Sequence, residues 1–188
     1  MLKKFQYNSP VILTFSLISF LVLLLGVFSG GSTTALLFAV YRTSLKNPLF
    51  YLRLFTHVLG HANIQHFVNN FILILLIGPM MEEKYGSKNM VLMMVFTAFI
   101  TGLVNVIFFN NMLLGASGIV FMLILLSSFA NIKKGRIPLT FVLVVIIFIG
   151  QEVVNAFTLQ DQVSQLTHII GGICGGLFGY KINIPKSE

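Results

Sequence analysis

The chain has 188 residues, of which 56% are apolar and only 9% are charged. Soluble domains carry about 25% charged residues, so this composition excludes an ordinary water-exposed fold and indicates a protein of the lipid bilayer. The formal net charge is +7, but the basic residues lie in the gaps between apolar runs, where they set membrane orientation. We therefore expect the bilayer as a partner and no nucleic acid.

Six apolar segments predict six membrane-spanning helices, since a crossing needs roughly 20 residues. They lie near residues 10–29, 64–81, 89–110, 116–131, 137–156 and 163–180. The first follows two lysines, as a signal peptide does. However, its apolar run is longer than a signal core of about 7–15 residues, and no clear cleavage site follows, so we predict a retained span.

The basic residues predict the orientation. With a cytoplasmic N-terminus, six spans return the C-terminus to the same side and place nine of the twelve Lys and Arg there. This asymmetry agrees with the positive-inside rule. The sequence thus predicts an all-α, multi-pass protein of the cell membrane, with a cytoplasmic segment at 1–9, a six-helix domain over 10–180 and a cytoplasmic tail at 181–188.

The first connection, about residues 30–63, is unusually long. Its part from Asn47 to His61 is rich in Leu, Phe and Tyr, but it carries Arg53 and is too short to span the membrane. These features favour an amphipathic element that lies in the membrane interface. An ordinary extracellular loop is the alternative.

Two polar residues stand near the start of the second span. His66 and Asn70 are four residues apart and share one helix face, and Asn63 is a plausible N-cap for that helix. Such a pair is as often a polar contact between helices as a catalytic group. A metal site is a further hypothesis, because His57, His61 and His66 lie close together in the sequence. Without a nearby cysteine or carboxylate, we expect no metal site.

The fourth span begins directly after Gly115-Ala116-Ser117-Gly118 and reaches only to about residue 131. Its helix is shorter than the hydrocarbon thickness of about 30 Å, so its N-terminal end should lie below the membrane surface. Backbone that is not helical at such a depth needs cover from protein or access to water. Both conditions suit an enclosed active site.

The sixth span contains His168, followed by a stripe of glycines that includes Gly171 and Gly175. Such a stripe allows a neighbouring backbone to approach closely, and helix packing alone would explain it. It does not explain a histidine in register with the glycines. If the stripe packs on the fourth span, His168 can take the proton of Ser117 and make it a nucleophile.

An acyl transfer also requires donors for the developing oxyanion, and the candidates are the Ser117 N–H, His66 and Asn70. The five carboxylates all lie at span ends or in connections. The sequence therefore predicts a serine–histidine dyad rather than a triad with an aspartate.

These motifs resemble those of the rhomboid family of intramembrane serine proteases, and the resemblance covers roughly residues 50 to 180. The matching motifs are His66 with Asn70, Gly115-Ala116-Ser117-Gly118, and His168 with Gly171 and Gly175. Arg53 and its neighbours resemble the family's first loop, and Glu82 with Gly86 resembles the turn that closes the second span.

The resemblance implies a six-helix rhomboid bundle, with Ser117 as nucleophile, His168 as base and then acid, and His66 and Asn70 as oxyanion donors. It implies no cofactor. The substrates would be transmembrane segments of other membrane proteins, admitted through a lateral gate at about residues 142–160. The substrate identity and the oligomeric state stay open.

Two positions depart from the family pattern. The usual Trp-Arg of the first loop is Leu52-Arg53, and Phe121 stands where the family often has tyrosine. Phe121 can stack on His168 but cannot donate a hydrogen bond. Two other functions remain as alternatives: an inactive relative that binds membrane clients, and a transporter that uses the polar groups as a pathway.

Overall fold

The computed structural model describes residues 6–129, 139–140, 142–147, 150 and 162–183. Among these residues, the regular structure is helical apart from one isolated bridge between Val40 and Leu113. The helices are α1 (Pro10–Phe28), α2 (Ser32–Leu37), α3 (Pro48–Thr56), α4 (Ile64–Tyr85), α5 (Ser87–Phe108), α6 (Ser117–Phe129) and α7 (Gln162–Asn183). A 3₁₀ turn, His57–Leu59, follows α3. The all-helical prediction is confirmed for this part of the chain.

Three of the described helices, α1, α4 and α5, are long and apolar enough to cross a membrane, and α6 is a shorter apolar helix. They correspond to the first four predicted spans, although α4 continues four residues beyond the predicted end at 81. The sixth predicted span lies within α7. Most of the fifth, 137–156, falls outside the described residues, and 142–147 are helical. The count of six spans stays a prediction.

The start of α1 is held by a carboxylate from the end of α4. Glu82 is 3% exposed, and its two oxygens accept hydrogen bonds from the N–H groups of Val11 and Ile12, each at 3.0 Å. The hydroxyl of Ser87, at the start of α5, donates to the same carboxylate at 2.7 Å. The first N–H groups of a helix have no partner inside it, and a negative charge there is favoured by the helix dipole. Glu82 therefore ties three helix ends together.

The first connection folds back on itself around a buried arginine. Arg53 is 2% exposed, its Nε donates to the Leu36 carbonyl at 2.7 Å, and its guanidinium lies 4.4 Å from the ring centre of Tyr41. The Asn47 side chain caps α3 by accepting from the Leu49 N–H. Within the predicted amphipathic element at 47–61, Pro48–Thr56 form α3, and the place of the element in the membrane interface stays a prediction.

The segment between α2 and α3 also covers the end of α5. Arg42 donates to the carbonyls of Val106 and Ile107 at 3.0 and 2.8 Å, which satisfies groups that the helix end leaves open. Val40 exchanges two backbone hydrogen bonds with Leu113, at 2.8 and 2.9 Å. These contacts fix the chain that leads from α5 into α6.

Helices α6 and α7 run parallel and touch through glycines. A Cβ atom added at Gly171 would collide with the Gly118 carbonyl, and one at Gly175 would collide with the Met122 carbonyl. Only glycine lets the two backbones approach this closely. The predicted contact between the glycine stripe and the fourth span is confirmed.

We expect Glu82→Gln to lower the free energy of unfolding by about 2 kcal/mol, because the amide replaces a charged acceptor and turns an NH₂ group toward N–H donors. Denaturation in mixed detergent micelles measures this effect. The control is Glu83→Gln at the exposed neighbouring residue, which should change little. Equal effects of the two substitutions would contradict the role assigned to Glu82.

Gly171→Ala should lower the free energy of unfolding by about 3 kcal/mol, since the new methyl group meets backbone that has no free space to move. Gly172→Ala is the matched control: its Cβ would lie 3.5 Å from the Leu125 side chain, which is ordinary van der Waals contact. The same denaturation measurement compares the two. Similar losses for both variants would contradict the close α6–α7 contact.

Candidate active site

Ser117 is the first residue of α6 and is half-buried. It follows Gly115, whose φ of +123° is rarely adopted by residues with a side chain. The Gly115 N–H donates to the carbonyl of His57 at 3.0 Å. The first connection therefore holds the turn that presents Ser117, and the N–H of Ser117, at a helix start, has no partner within α6.

His168 lies on the surface of α7 that faces α6. Its imidazole stacks on the ring of Phe121, with 4.3 Å between ring centres and 6° between planes. Phe121 follows Ser117 by one helical turn on the same face. The neighbouring Thr167 methyl lies 3.5 Å from the Cβ position of Gly118. The structure thus brings the predicted nucleophile and the predicted base to the same end of the α6–α7 contact, and the stack expected for Phe121 is confirmed.

His66 and Asn70 approach this site from α4. The Asn63 side chain accepts from the His66 N–H at 2.8 Å, so the predicted N-cap is confirmed. His66 Nε2 lies 2.6 Å, and Asn70 Nδ2 lies 3.8 Å, from the position that a Cβ of Gly115 would occupy. A side chain at residue 115 would therefore displace the His66 ring. Both donors lie beside the turn that carries Ser117.

Asn70 provides a donor that the described residues do not use. Its Nδ2 is buried and has no hydrogen-bond partner among them. A buried amide donor without a partner costs free energy, so this amide is available to a substrate group. His66 and Asn70 of α4 lie beside Gly115, and His168 of α7 stacks on Phe121 of α6. Groups from α4, α6 and α7 therefore converge on one location.

His61 and His57 support the site from the first connection. The ring of His61 packs against that of His66 with 5.0 Å between centres, and it also contacts Phe67 and Phe71. His57 is fully buried; its Nδ1 faces the Arg53 carbonyl at 3.2 Å and its Nε2 faces the Thr101 hydroxyl at 3.4 Å. Sequence analysis did not predict the contact of the His57 backbone with Gly115.

The described residues contain no group of three or more His, Cys, Asp or Glu side chains that could hold a metal ion. His57 is turned toward Thr101, whereas His61 and His66 face each other.

Burial lowers the pKa of His57 from 6.5 to about 4. The pKa of His61 is also lowered to about 4, first by burial and then by the nearby His66. Both residues lie outside the membrane-spanning helices. The unfolded chain binds protons more readily than the folded chain. The contribution of these two histidines to the free energy of unfolding is therefore fully present above pH 6.5, and it is lost as the pH drops toward 4.

We expect the protonation of His57 alone to lower the free energy of unfolding by about 3 kcal/mol as the pH drops from 6.5 to 4. Unfolding measured at several pH values in this window tests the expectation. His57→Asn removes this titration and should reduce the slope, leaving the part due to His61. An unchanged slope in His57→Asn would contradict the burial of neutral His57.

In a comparison with known families, a model of the Rhomboid domain matches residues 49–184. No curated protein matches the chain. The matched region is well over half of the 188 residues and contains His66, Asn70, Ser117 and His168 together with the glycines of α7. The chain is a member of the rhomboid family.

Proposed function

We propose that the protein is an intramembrane serine endopeptidase that cleaves transmembrane segments of other membrane proteins. Ser117 is the nucleophile and His168 is the general base. The observation that carries the proposal is the position of the His168 imidazole, which Phe121 and the Gly118–Gly171 contact hold at the start of α6. Family membership supports this function but does not by itself establish activity, because function depends on the site.

In the proposed reaction, the Ser117 hydroxyl attacks the carbonyl carbon of the scissile peptide while His168 takes its proton. The carbonyl oxygen becomes an oxyanion that accepts from the Ser117 N–H, His66 and Asn70. When the intermediate collapses, the C–N bond breaks and His168 gives its proton to the leaving nitrogen. Water, deprotonated by His168, then attacks the acyl ester, and the proton returns to Ser117. No cofactor takes part.

The dyad requires only that neutral imidazole lies beside the hydroxyl. Phe121 fixes the ring plane of His168 by stacking, a contact worth about 1 kcal/mol. A carboxylate that would orient the second ring nitrogen is not part of the proposal, because all five carboxylates lie at the ends of the predicted spans or in connections, and Glu82 accepts hydrogen bonds from the start of α1. The stacked ring takes over the orienting function that an aspartate has in a triad.

We place the site inside the bilayer from the length of the fourth span. Helix α6 runs from Ser117 to Phe129 and has 13 residues, which rise about 20 Å. The hydrocarbon core is about 30 Å thick, so Ser117 lies below the opposite membrane surface. Substrate helices would approach laterally, and residues 142–160, proposed as the gate, lie mostly outside the described residues.

Helix directions support six spans with both termini on the same side of the membrane. Glu82 at the end of α4 meets the start of α1, so these helices are antiparallel. Thr97 meets Met122 and Thr101 meets Gly118, so α5 and α6 are antiparallel as well. Because α6 and α7 point in the same direction, the chain between them has to cross the membrane once in the opposite direction. A crossing near the predicted 137–156 meets this requirement.

We expect Ser117→Ala and His168→Ala each to lower kcat/KM by about 10⁴-fold or more, because the two groups act as a unit. The assay is cleavage of a fluorescent transmembrane substrate by purified protein in liposomes. The control is Ser127→Ala, in the same helix, whose hydroxyl donates to the Ile124 carbonyl; this substitution should leave the rate unchanged.

Cleavage by Ser117→Ala at the wild-type rate would contradict the proposal. If the wild-type protein cleaves none of a panel of transmembrane substrates yet retains them in pull-down experiments, the protein is instead a client-binding relative without protease activity.

A further inference from the structure

An apolar cavity of about 520 Å³ opens between α1 and α5. Val11 and Phe15 form one wall, and Val91 and Val95 form the other. Phe55 and Val58 of the first connection close one end. The cavity is distinct from the candidate active site, whose residues Ser117, His66 and His168 do not line it.

Water is a poor occupant of this cavity. An apolar cavity of about 150 Å³ stays dry and binds benzene in another protein, and this one is more than three times larger. Its walls belong to α1 and α5, which are both apolar enough to span the membrane. The solvent at that depth is hydrocarbon, and an apolar groove that opens to it fills with hydrocarbon.

We propose that the cavity is a binding site for one acyl chain of an anionic phospholipid from the cytoplasmic leaflet. The lining of α5 extends from Ser87 to Ala98, which corresponds to about 17 Å of helix. This length is close to half of the hydrocarbon core of about 30 Å, the depth that one leaflet contributes. The groove therefore matches a single chain that enters from the end at Ser87.

Lys88 supplies the charge for the head group. It is exposed and precedes Val91 and Val95 by three and seven residues, so it lies on the edge of the same face of α5. A lysine at the membrane surface attracts anionic lipid. The nearby Glu82 carboxylate already accepts three hydrogen bonds, including one from the Ser87 hydroxyl. Lys88 is thus the contact assigned to the phosphate.

The bound chain would support both elements that hold the nucleophile turn. Phe55 and Val58 flank His57, whose carbonyl accepts from Gly115. Ile119, two residues after Ser117, is fully buried and also lines the cavity. The lipid chain therefore packs against the first connection and against the start of α6. This inference goes beyond the proposed protease function and does not depend on it.

Photolabelling tests the inference. The full chain is reconstituted in vesicles of phosphatidylcholine with a minority of phosphatidylglycerol, and a trace of phosphatidylglycerol carries a diazirine in the middle of one acyl chain. After illumination, mass spectrometry locates the labelled residues. We expect labels to concentrate on the parts of α1 and α5 that line the cavity, above the level at outward residues of α4 such as Leu76.

Filling the cavity should remove this labelling. Val91→Phe places a larger side chain in the groove, and displacing two methylene groups of the lipid would lower labelling about tenfold. Leu92→Phe is the matched control, because Leu92 is 63% exposed and does not line the cavity. Thr14→Phe fills the groove from the opposite wall and serves if Val91→Phe does not fold. Uniform labelling of the spans, or equal labelling in a folded filling variant and Leu92→Phe, would overturn the site.

The head group is tested separately with a phosphatidylcholine probe of the same acyl chain. We expect the phosphatidylglycerol probe to label the cavity more strongly, and Lys88→Gln to abolish the difference. Equal labelling by the two probes in the wild-type protein would overturn the contact with Lys88. Because the measurement needs no proteolysis, its failure is distinguishable from failure of the proposed protease function.

Discussion

The approach of α7 to the carbonyl of Gly118 is the constraint on which the rest of the site depends. A helix that carries a side chain at residue 171 cannot come this close, and one turn earlier on the same surface stands His168. Widening the contact by one methyl group would move the imidazole away from the start of α6. The same glycines therefore determine how closely the two helices pack and where the His168 imidazole lies. Membrane helices have no hydrophobic driving force to associate, and small residues let them pack closely instead.

A second set of contacts fixes the turn that carries Ser117. The first connection is folded around Arg53, and the carbonyl of His57 holds the N–H of Gly115. His61 supports the His66 ring from the same connection. Neutral histidines fit this buried environment, since burial disfavours the charged form. The first connection thus surrounds and supports the turn that carries Ser117, the proposed nucleophile, and an acyl chain packed beneath it would extend that support into the lipid.

Much of this arrangement is predictable from sequence because it follows helical periodicity. The spacing of His168 and Gly171 and the cap at Asn63 follow from residues three or four apart, whereas the stack of Phe121 on His168 was expected from the family resemblance. Backbone contacts between distant segments leave no such signal, which is why the pairing of Val40 with Leu113 and the contact of His57 with Gly115 were missed. The double hydrogen bond of Glu82 to α1 was missed for the same reason: the family resemblance marked the residue, but its partners are main-chain groups.

The central claim is that an imidazole on α7 activates a hydroxyl on α6. Reaction with a fluorophosphonate, which modifies only an activated serine, tests it without any assumption about the substrate. The account predicts one covalent adduct, mapped by mass spectrometry to Ser117, and its loss in His168→Ala. An adduct at another serine, or labelling of Ser117 at the same rate without His168, would contradict it.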